Sequence, residues 1–280
     1  MKNIFTIDTE DWFHANYEDN LFQNDSTIRS TVEENTEVYL DILEKNNSKA
    51  TFFILGFVAK EHHELVKRIA SMGHEIASHG YGHQLVYKQT PYEFREDVYR
   101  SKCMLEDITG SPVLGYRAPS WSITEKSFWA LGILNELGFK YDSSIFPFKN
   151  FLYGVDGAPR FSYKANKYCE DAGNLLEIPP STVKLPLLNL PFSGGFYFRA
   201  LPEFMISACT KKVNKENEPV IFYLHPREID PKQPRLKLSA RDALIHYYGI
   251  GGCERKFRKT VHKFNCTSIA DKFFVNQKSC

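Results

Sequence analysis

Apolar positions along this chain recur with two different periods. Short apolar runs, KNIFTID (2–8), ATFFILG (50–56) and HEIASH (74–79), alternate with longer stretches whose apolar residues return every three or four positions. TVEENTEVYLDILEKNN (31–47) carries Val38, Leu40, Ile42 and Leu43, with acids early and Asn-Asn at its end, which predicts an amphipathic helix. EHHELVKRIASMG predicts a second helix that stops at Gly73, and PYEFREDVYRSKCMLEDITG a third with Pro91 near its start and Gly110 at its stop. PVLGYRAPS, TEKSFWALGILNELG and FKYDSS continue the rhythm. Strands alternating with helices of this length predict βαβ units, and so a parallel sheet or barrel.

Between about 146 and 200 the rhythm fails. That stretch is aromatic, rich in Gly and Asn, and then broken by prolines, which predicts loops and irregular strands laid over the barrel rather than a separate domain. A helical pattern resumes at LPEFMISACTKKVN, followed by the strand PVIFYLHP and a helical C-terminal region. The expected organisation is one α/β domain over 1–280 with an irregular loop and strand insertion. Its core is expected over about 1–230 and a helical extension over about 231–280.

With 42% hydrophobic and 14% aromatic residues, a sizeable core is available. Lys plus Arg number 35 against 34 Asp plus Glu, a balance that suggests neither a nucleic-acid binder nor a membrane-surface protein. Arg255, Lys256, Arg258, Lys259 and Lys263 alternate with apolar residues and read as a solvated helix face. The six cysteines (103, 169, 209, 253, 266 and 280) show no CxxC spacing, so reduced thiols are expected. No apolar segment suits a signal peptide or a membrane span, and the expected location is cytoplasmic.

Unusual polar residues fall where strands end. The first strand runs into Asp8, Glu10 and Asp11, the third into His79 and His83, the fourth into Arg117, the next into Asp142, and the late strand into His225. In a parallel α/β barrel these strand ends share one face. Each taken singly has a plain explanation. An Asp at a strand end caps a turn, a His pair sits on a surface, Arg117 pairs a local acid, and His225 is a core histidine. His62 and His63 fall inside the second helix and receive no role. Packing alone does not supply five such coincidences on one rim. Two neutral imidazoles and a carboxylate would give zinc three ligands and leave one position open. A second carboxylate could then serve as base and another imidazole as acid, with an arginine keeping the base ionised and an aspartate holding the acid protonated. That set describes hydrolysis of an amide or ester.

The order TIDTED, SHGYGH, GYRAPSW, YDSSIFP and YLHP resembles the NodB-type polysaccharide deacetylases through residues 4 to 226. It is most similar to the branch associated with exopolysaccharide and surface-glycan loci, as are LPFSGGFYFRALP and YLHPREIDPKQPRL. The resemblance implies a distorted (β/α) barrel of the NodB-homology type and one divalent metal ion, usually Zn2+, with Co2+ or other divalent ions accepted. By motif, Asp8 matches the base, His79 and His83 the metal histidines, Arg117 the arginine supporting the base, His225 the acid, and Asp142 an acidic residue supporting the site. Two departures stand out. The family's first motif has adjacent aspartates, whereas here Asp8 is followed by Thr9, leaving Glu10 or Asp11 as the carboxylate ligand; strand alternation favours Glu10. Gly80 replaces the hydroxyl residue usual between the histidines. Trp12, Tyr81, Trp121 and Tyr153 either roof the barrel or stack on sugar rings. Gly194 and Gly195 permit a close backbone approach to substrate or form a plain turn.

Three functions follow as expectations. The first is metal-dependent removal of an N-acetyl group from an amino sugar of a glycan or its activated precursor, with nucleotide-linked, lipid-linked or short soluble substrates favoured. The second is hydrolysis of a cyclic ureide or formamide on the same barrel. The third is a non-catalytic glycan-binding module. No nucleic-acid partner is expected.

Overall fold

The computed structural model describes residues 1–14, 29–150, 153–186 and 189–275. Cys280 lies outside these. At the centre is a curled sheet in which β1 (Asn3–Thr9), β2 (Thr51–Ile54), β3 (Glu75–Ser78), β4 (Gly115–Tyr116) and β5 (Tyr141–Asp142) follow one another in parallel. Beyond β5 come β7 (Leu176–Glu177), parallel to it, and then β6 (Tyr163–Lys164), antiparallel. β8 (Thr182–Lys184) and β9 (Asn189–Pro191) form a separate antiparallel ribbon. β10 (Ile221–Leu224) lies parallel to β1 on its other side, and β11 (Cys266–Thr267) pairs with the start of β1.

Strand alternation divides β1 between two environments. Phe5 and Ile7 pack outward with residues of the helices, among them Tyr39, Leu40, Leu43 and Phe257. Ile4 points inward, into a cluster with Phe53, Ala77, Tyr141, Ile221 and Ile269. Thr6 and Asp8 continue that inward column toward the C-terminal ends of the strands. Apolar residues therefore fill the lower interior, and the polar chemistry sits above them.

The helices that cover the outer face begin with α1 (Val32–Lys45), α2 (Gly56–Glu61), α3 (His63–Ser71), α4 (Pro91–Thr109) and α5 (Trp129–Glu136). α4 has a full capping box between Thr90 and Glu93, Pro91 in its first turn, and Gly110 in the left-handed region at its end. The helix expected over 61–73 is α3, and a separate short helix, α2, precedes it. α2 starts directly after β2 because the N–H groups of Gly56 and Phe57 donate to the carbonyls of Gly80 and Tyr81, 2.8 and 3.1 Å away. The chain then breaks at His62 before α3.

The distorted barrel is a curled half-barrel. No ladder joins β7 to β10; the gap is spanned by Ser181, whose Oγ accepts the Ile221 N–H at 2.8 Å, and by a bridge between Gly194 and Tyr223. α6 (Gly195–Ala200), α7 (Glu203–Lys215), α8 (Ala240–Tyr247) and α9 (Ile250–Phe264) complete the C-terminal half. Part of the basic face of α9 is not simply solvated. Lys256 donates to the carbonyls of Phe198, Arg199 and Leu201, three acceptors at the end of α6. The five described cysteines are free thiols. No helix among the described residues is long and apolar enough to cross a membrane.

The gap-spanning bridge generates a test. A Cβ at Gly194 would lie 2.2 Å from the Tyr223 carbonyl oxygen, which is backbone and cannot rotate away. Gly194→Ala is expected to destabilise the fold by about 2 kcal/mol or more, read as a lowered urea midpoint.

Candidate metal and hydrolytic site

The inward column of β1 ends in Thr6 and Asp8, and a fully buried arginine meets both. Arg117, in the loop after β4, donates from Nη1 to Asp8 Oδ1 at 2.6 Å and to Thr6 Oγ1 at 2.7 Å. Its Nε and Nη2 reach the Ser143 carbonyl and hydroxyl at 3.2 and 2.9 Å. The guanidinium lies over the rings of Phe53 and Trp121, 4.0 and 4.8 Å from their centroids. Asp8 is thereby paired with a cation on one oxygen while the other faces the rim.

Immediately after Asp8 the chain turns, with the Glu10 N–H donating to the Asp8 carbonyl at 3.0 Å. That turn carries the Glu10 carboxylate to the two histidines after β3. Glu10 Oε2 lies 2.6 Å from His83 Nε2 and 3.9 Å from His79 Nε2. One ligand atom from each of Glu10, His79 and His83 falls within 4.8 Å of the others, and all three residues are buried. His79 Nδ1 meets the Arg117 carbonyl at 2.8 Å, which places its proton there and leaves the Nε2 lone pair toward Glu10. Burial, with help from the neighbouring His83, lowers the His79 pKa to about 4, so the ring is neutral near pH 7 despite the pull of Asp8 and Glu10. Glu10 Oε2 is buried and faces the Nε2 atoms of both imidazoles. A divalent cation fits this donor set.

The loss of a hydroxyl at Gly80 is made good from outside the motif. Asp97 of α4 accepts the N–H groups of Tyr81 and Gly82 at 2.7 and 3.0 Å, and Ser78 Oγ accepts that of Gly80 at 3.2 Å. Gly80 has a φ of +75°, and a Cβ there would lie 2.8 Å from Asp97 Oδ2. The left-handed turn thus belongs to a glycine, and it lets His79 and His83 face one point.

His225 closes the other side, with Nε2 3.8 Å from Asp8 Oδ2 and 3.9 Å from Glu10 Oε1. Its Nδ1 meets Glu228 Oε2 at 3.0 Å, and its backbone N–H donates to the same oxygen. Arg199 of α6, itself buried, donates from Nε to Glu228 Oε1 at 2.7 Å. Burial works against the charge on His225, but Glu10 and Glu228 outweigh it and hold its pKa above the ordinary value. Burial likewise opposes ionisation of Glu228, and Arg199 with His225 overcomes it, holding that carboxyl well below its usual range. Arg227 adds a cation 3.8 Å from Glu10 Oε1. Glu228, Arg199 and Asp97 were not singled out from the sequence. The i, i+3 spacing of His225 and Glu228 across a Pro turn was the legible signal for one of them.

Several expected residues sit elsewhere. Asp11 does not join the trio, because its Oδ1 accepts the N–H groups of Trp12 and Thr31, at 3.0 and 3.2 Å, and its Oδ2 bonds Ser30. Asp142 does not reach His225; it lies behind Arg117, bonded to Ser144, and the place beside the histidine is taken by Glu228. Trp12 is buried, its indole N–H donating to the Arg29 carbonyl at 3.2 Å. Trp121 is buried against Phe146 and Tyr223, and Tyr153 packs on Phe146. Gly194 and Gly195 make their close approach to Tyr223 of β10 rather than to an open space. Tyr81 remains half-buried at a cleft, with the Arg100 guanidinium 3.7 Å from its ring centroid.

Residues 21–141 match the polysaccharide deacetylase family, and residues 143–273 match a domain of unknown function (DUF3473). Peptidoglycan deacetylase of Helicobacter pylori is 33% identical over 110 residues, covering 38% of this chain and 35% of that protein. Peptidoglycan-N-acetylglucosamine deacetylase of Bacillus cereus is 37% identical over 96 residues, covering 34% and 35%. The chain thus spans about a third of the length of these two curated relatives. The crystal structure of a candidate polysaccharide deacetylase from Mycobacterium smegmatis superposes with a TM-score of 0.59 at 21% identity, over 99% of this chain and 92% of that one, and shows the same fold. Over residues 21–141 the chain matches the NodB-type polysaccharide deacetylase domain. His79, His83 and Arg117 fall inside that match, whereas His225, Glu228 and Arg199 fall inside the second.

Two predictions arise from the supporting carboxylates. Asp97→Ala frees two N–H groups of the histidine loop and is expected to weaken zinc binding about 10- to 100-fold, measured by calorimetric titration. Because the Glu228 carboxyl is held below its ordinary value of 4.5, its stabilisation is complete above that pH and is lost as pH falls through the depressed value. The gap in urea midpoint between wild type and Glu228→Gln is therefore expected to be constant above about pH 4.5 and to narrow below it. Near neutrality the variant costs about 3–5 kcal/mol, since Arg199 is left buried without its partner.

Proposed function

We propose that this protein is a metal-dependent hydrolase that removes the N-acetyl group from an amino sugar of a glycan. The observation that carries the reading is the convergence of Glu10, His79 and His83 on one point, with the Asp8–Arg117 pair and the His225–Glu228 pair on either side. Glu10, His79 and His83 would hold one divalent ion, with zinc suited to two imidazoles and a carboxylate. When bound, it supplies Lewis acidity toward the amide carbonyl and lowers the pKa of a water.

The remaining work falls to the chain's own residues. Asp8 accepts the proton of the attacking water at Oδ2, while Arg117 on Oδ1 pairs the carboxylate with a cation and fixes its direction. His225, charged and held at Nδ1 by Glu228, presents Nε2–H to the leaving nitrogen and gives it the proton that turns it into an amine. Glu10 contributes to the charge that keeps His225 protonated as well as being a ligand, so removing it disturbs both. Beside the trio runs a cleft lined by Phe13, His14, Phe57, Tyr81, Tyr92 and Tyr99, and its exposed aromatic faces suit sugar rings. That lining supports a saccharide of more than one unit as the substrate.

The test is acetate release from N-acetylglucosamine oligomers by the purified protein, before chelation, after it, and after zinc or cobalt is returned. Release is expected to vanish with the metal and return with it. Asp8→Asn is expected to lower kcat by about a thousandfold or more while oligomer binding persists. Binding without any turnover in wild type would make the protein a glycan-binding module. Turnover of a cyclic ureide or a formamide in place of the sugar amide would move it to the other hydrolase class.

A further inference from the structure

Behind Arg117 lies a second pair of acids. Asp142 on β5 and Glu177 on β7 are direct partners in the parallel register, so their side chains stand next to each other on one face of the sheet, and both are fully buried. One oxygen of each is used. Glu177 Oε1 accepts the N–H groups of Ser144 and Ile145 at 3.1 and 2.9 Å, and Asp142 Oδ1 accepts the Ser144 hydroxyl at 2.5 Å. The other two, Asp142 Oδ2 and Glu177 Oε2, are buried and meet no donor. The groups facing the pair are Tyr116 on β4, Tyr163 on β6, Tyr168, and Arg117. Arg117 is the cation among them, and its hydrogen bonds go to Asp8, Thr6 and Ser143. Two bare carboxylates side by side in such a place would carry a large desolvation and repulsion penalty.

We infer that Asp142 and Glu177 share one proton between Oδ2 and Oε2, forming a singly charged unit that positions Arg117. The route is continuous. The unit holds the backbone of residues 144 and 145, Ser143 in that segment accepts two bonds from Arg117, and Arg117 fixes Asp8. Ser144 Oγ also accepts the Ala118 N–H at 2.8 Å, tying the residue after Arg117 to the same segment. Burial raises both carboxyls above their ordinary range, in keeping with a retained proton. These are positioning residues, and their effect on turnover rests on the hydrolase reading, whereas the shared proton does not.

The experiment uses the full chain and begins with infrared difference spectroscopy at neutral pH. A carbonyl band of a protonated carboxyl is expected in wild type and is expected to be absent from both Glu177→Gln and Asp142→Asn, in which the amide supplies the missing donor. No such band in wild type, or a band that survives in both variants, overturns the shared proton. The measurement needs no substrate, so it stands even if acetate release fails. In the kinetic arm, Glu177→Ala is expected to lower kcat about tenfold or more with KM changed less than twofold, and Glu177→Gln to restore most of it. Equal loss in the Ala and Gln variants overturns the positioning role.

Discussion

A guanidinium with no access to water must have its donors satisfied by protein, and the site is organised around that requirement. Arg117 is fully buried, and its side chain spends its hydrogen bonds on Thr6 and Asp8 of β1 and on Ser143 beyond β5. Its backbone carbonyl meanwhile receives His79. One residue therefore ties together the ends of three strands that are far apart in sequence. It also pairs the proposed base with a cation and sets the tautomer of a proposed ligand. If it were removed, Asp8 would be left as a buried, uncompensated charge at the top of an apolar column.

The same logic recurs outward from that centre. His225 is held by Glu228, and Glu228 by Arg199, whose other nitrogens donate to the carbonyls of Ile245 and Tyr248 at the end of α8. The C-terminal helices are therefore bound into the placement of the proposed acid. In these chains a charged side chain meets a partner of opposite sign or a set of oriented dipoles. The exception is the Asp142–Glu177 pair, where both partners are acids and a proton takes the place of a cation.

The histidine side of the site is built from a different resource. Its histidine loop depends on backbone conformation, with positive φ at Gly80 and His83 (75° and 55°), and on a carboxylate from α4 that collects two amide protons. Left-handed turns expose consecutive N–H groups, and Asp97 is placed to accept them. Such a turn keeps both imidazoles on one side without a hydroxyl between them.

Much of this was legible in the order of residues. Periodicity alone determined the βαβ rhythm, because burial on two faces demands unbroken apolar strands and one-sided burial demands helical spacing. The alternation of Asp8, Thr9 and Glu10 was enough to favour Glu10 over Asp11. Sequence alone did not decide between them, because the turn after Asp8 sets where each carboxylate goes. What sequence could not decide was which distant polar groups would meet. Asp142 and Glu228 are both acids near strand ends; the local turn over Pro226–Ile229 puts Glu228 beside His225, whereas only the pairing of β5 with β7 puts Asp142 beside Glu177. Trp12, Trp121, Gly194 and Gly195 looked open to a ligand, yet both tryptophans are buried and the glycines pack on Tyr223. Contacts of that kind depend on how far a sheet curls and where a loop returns, which are properties of the whole packed core and not of any stretch of chain.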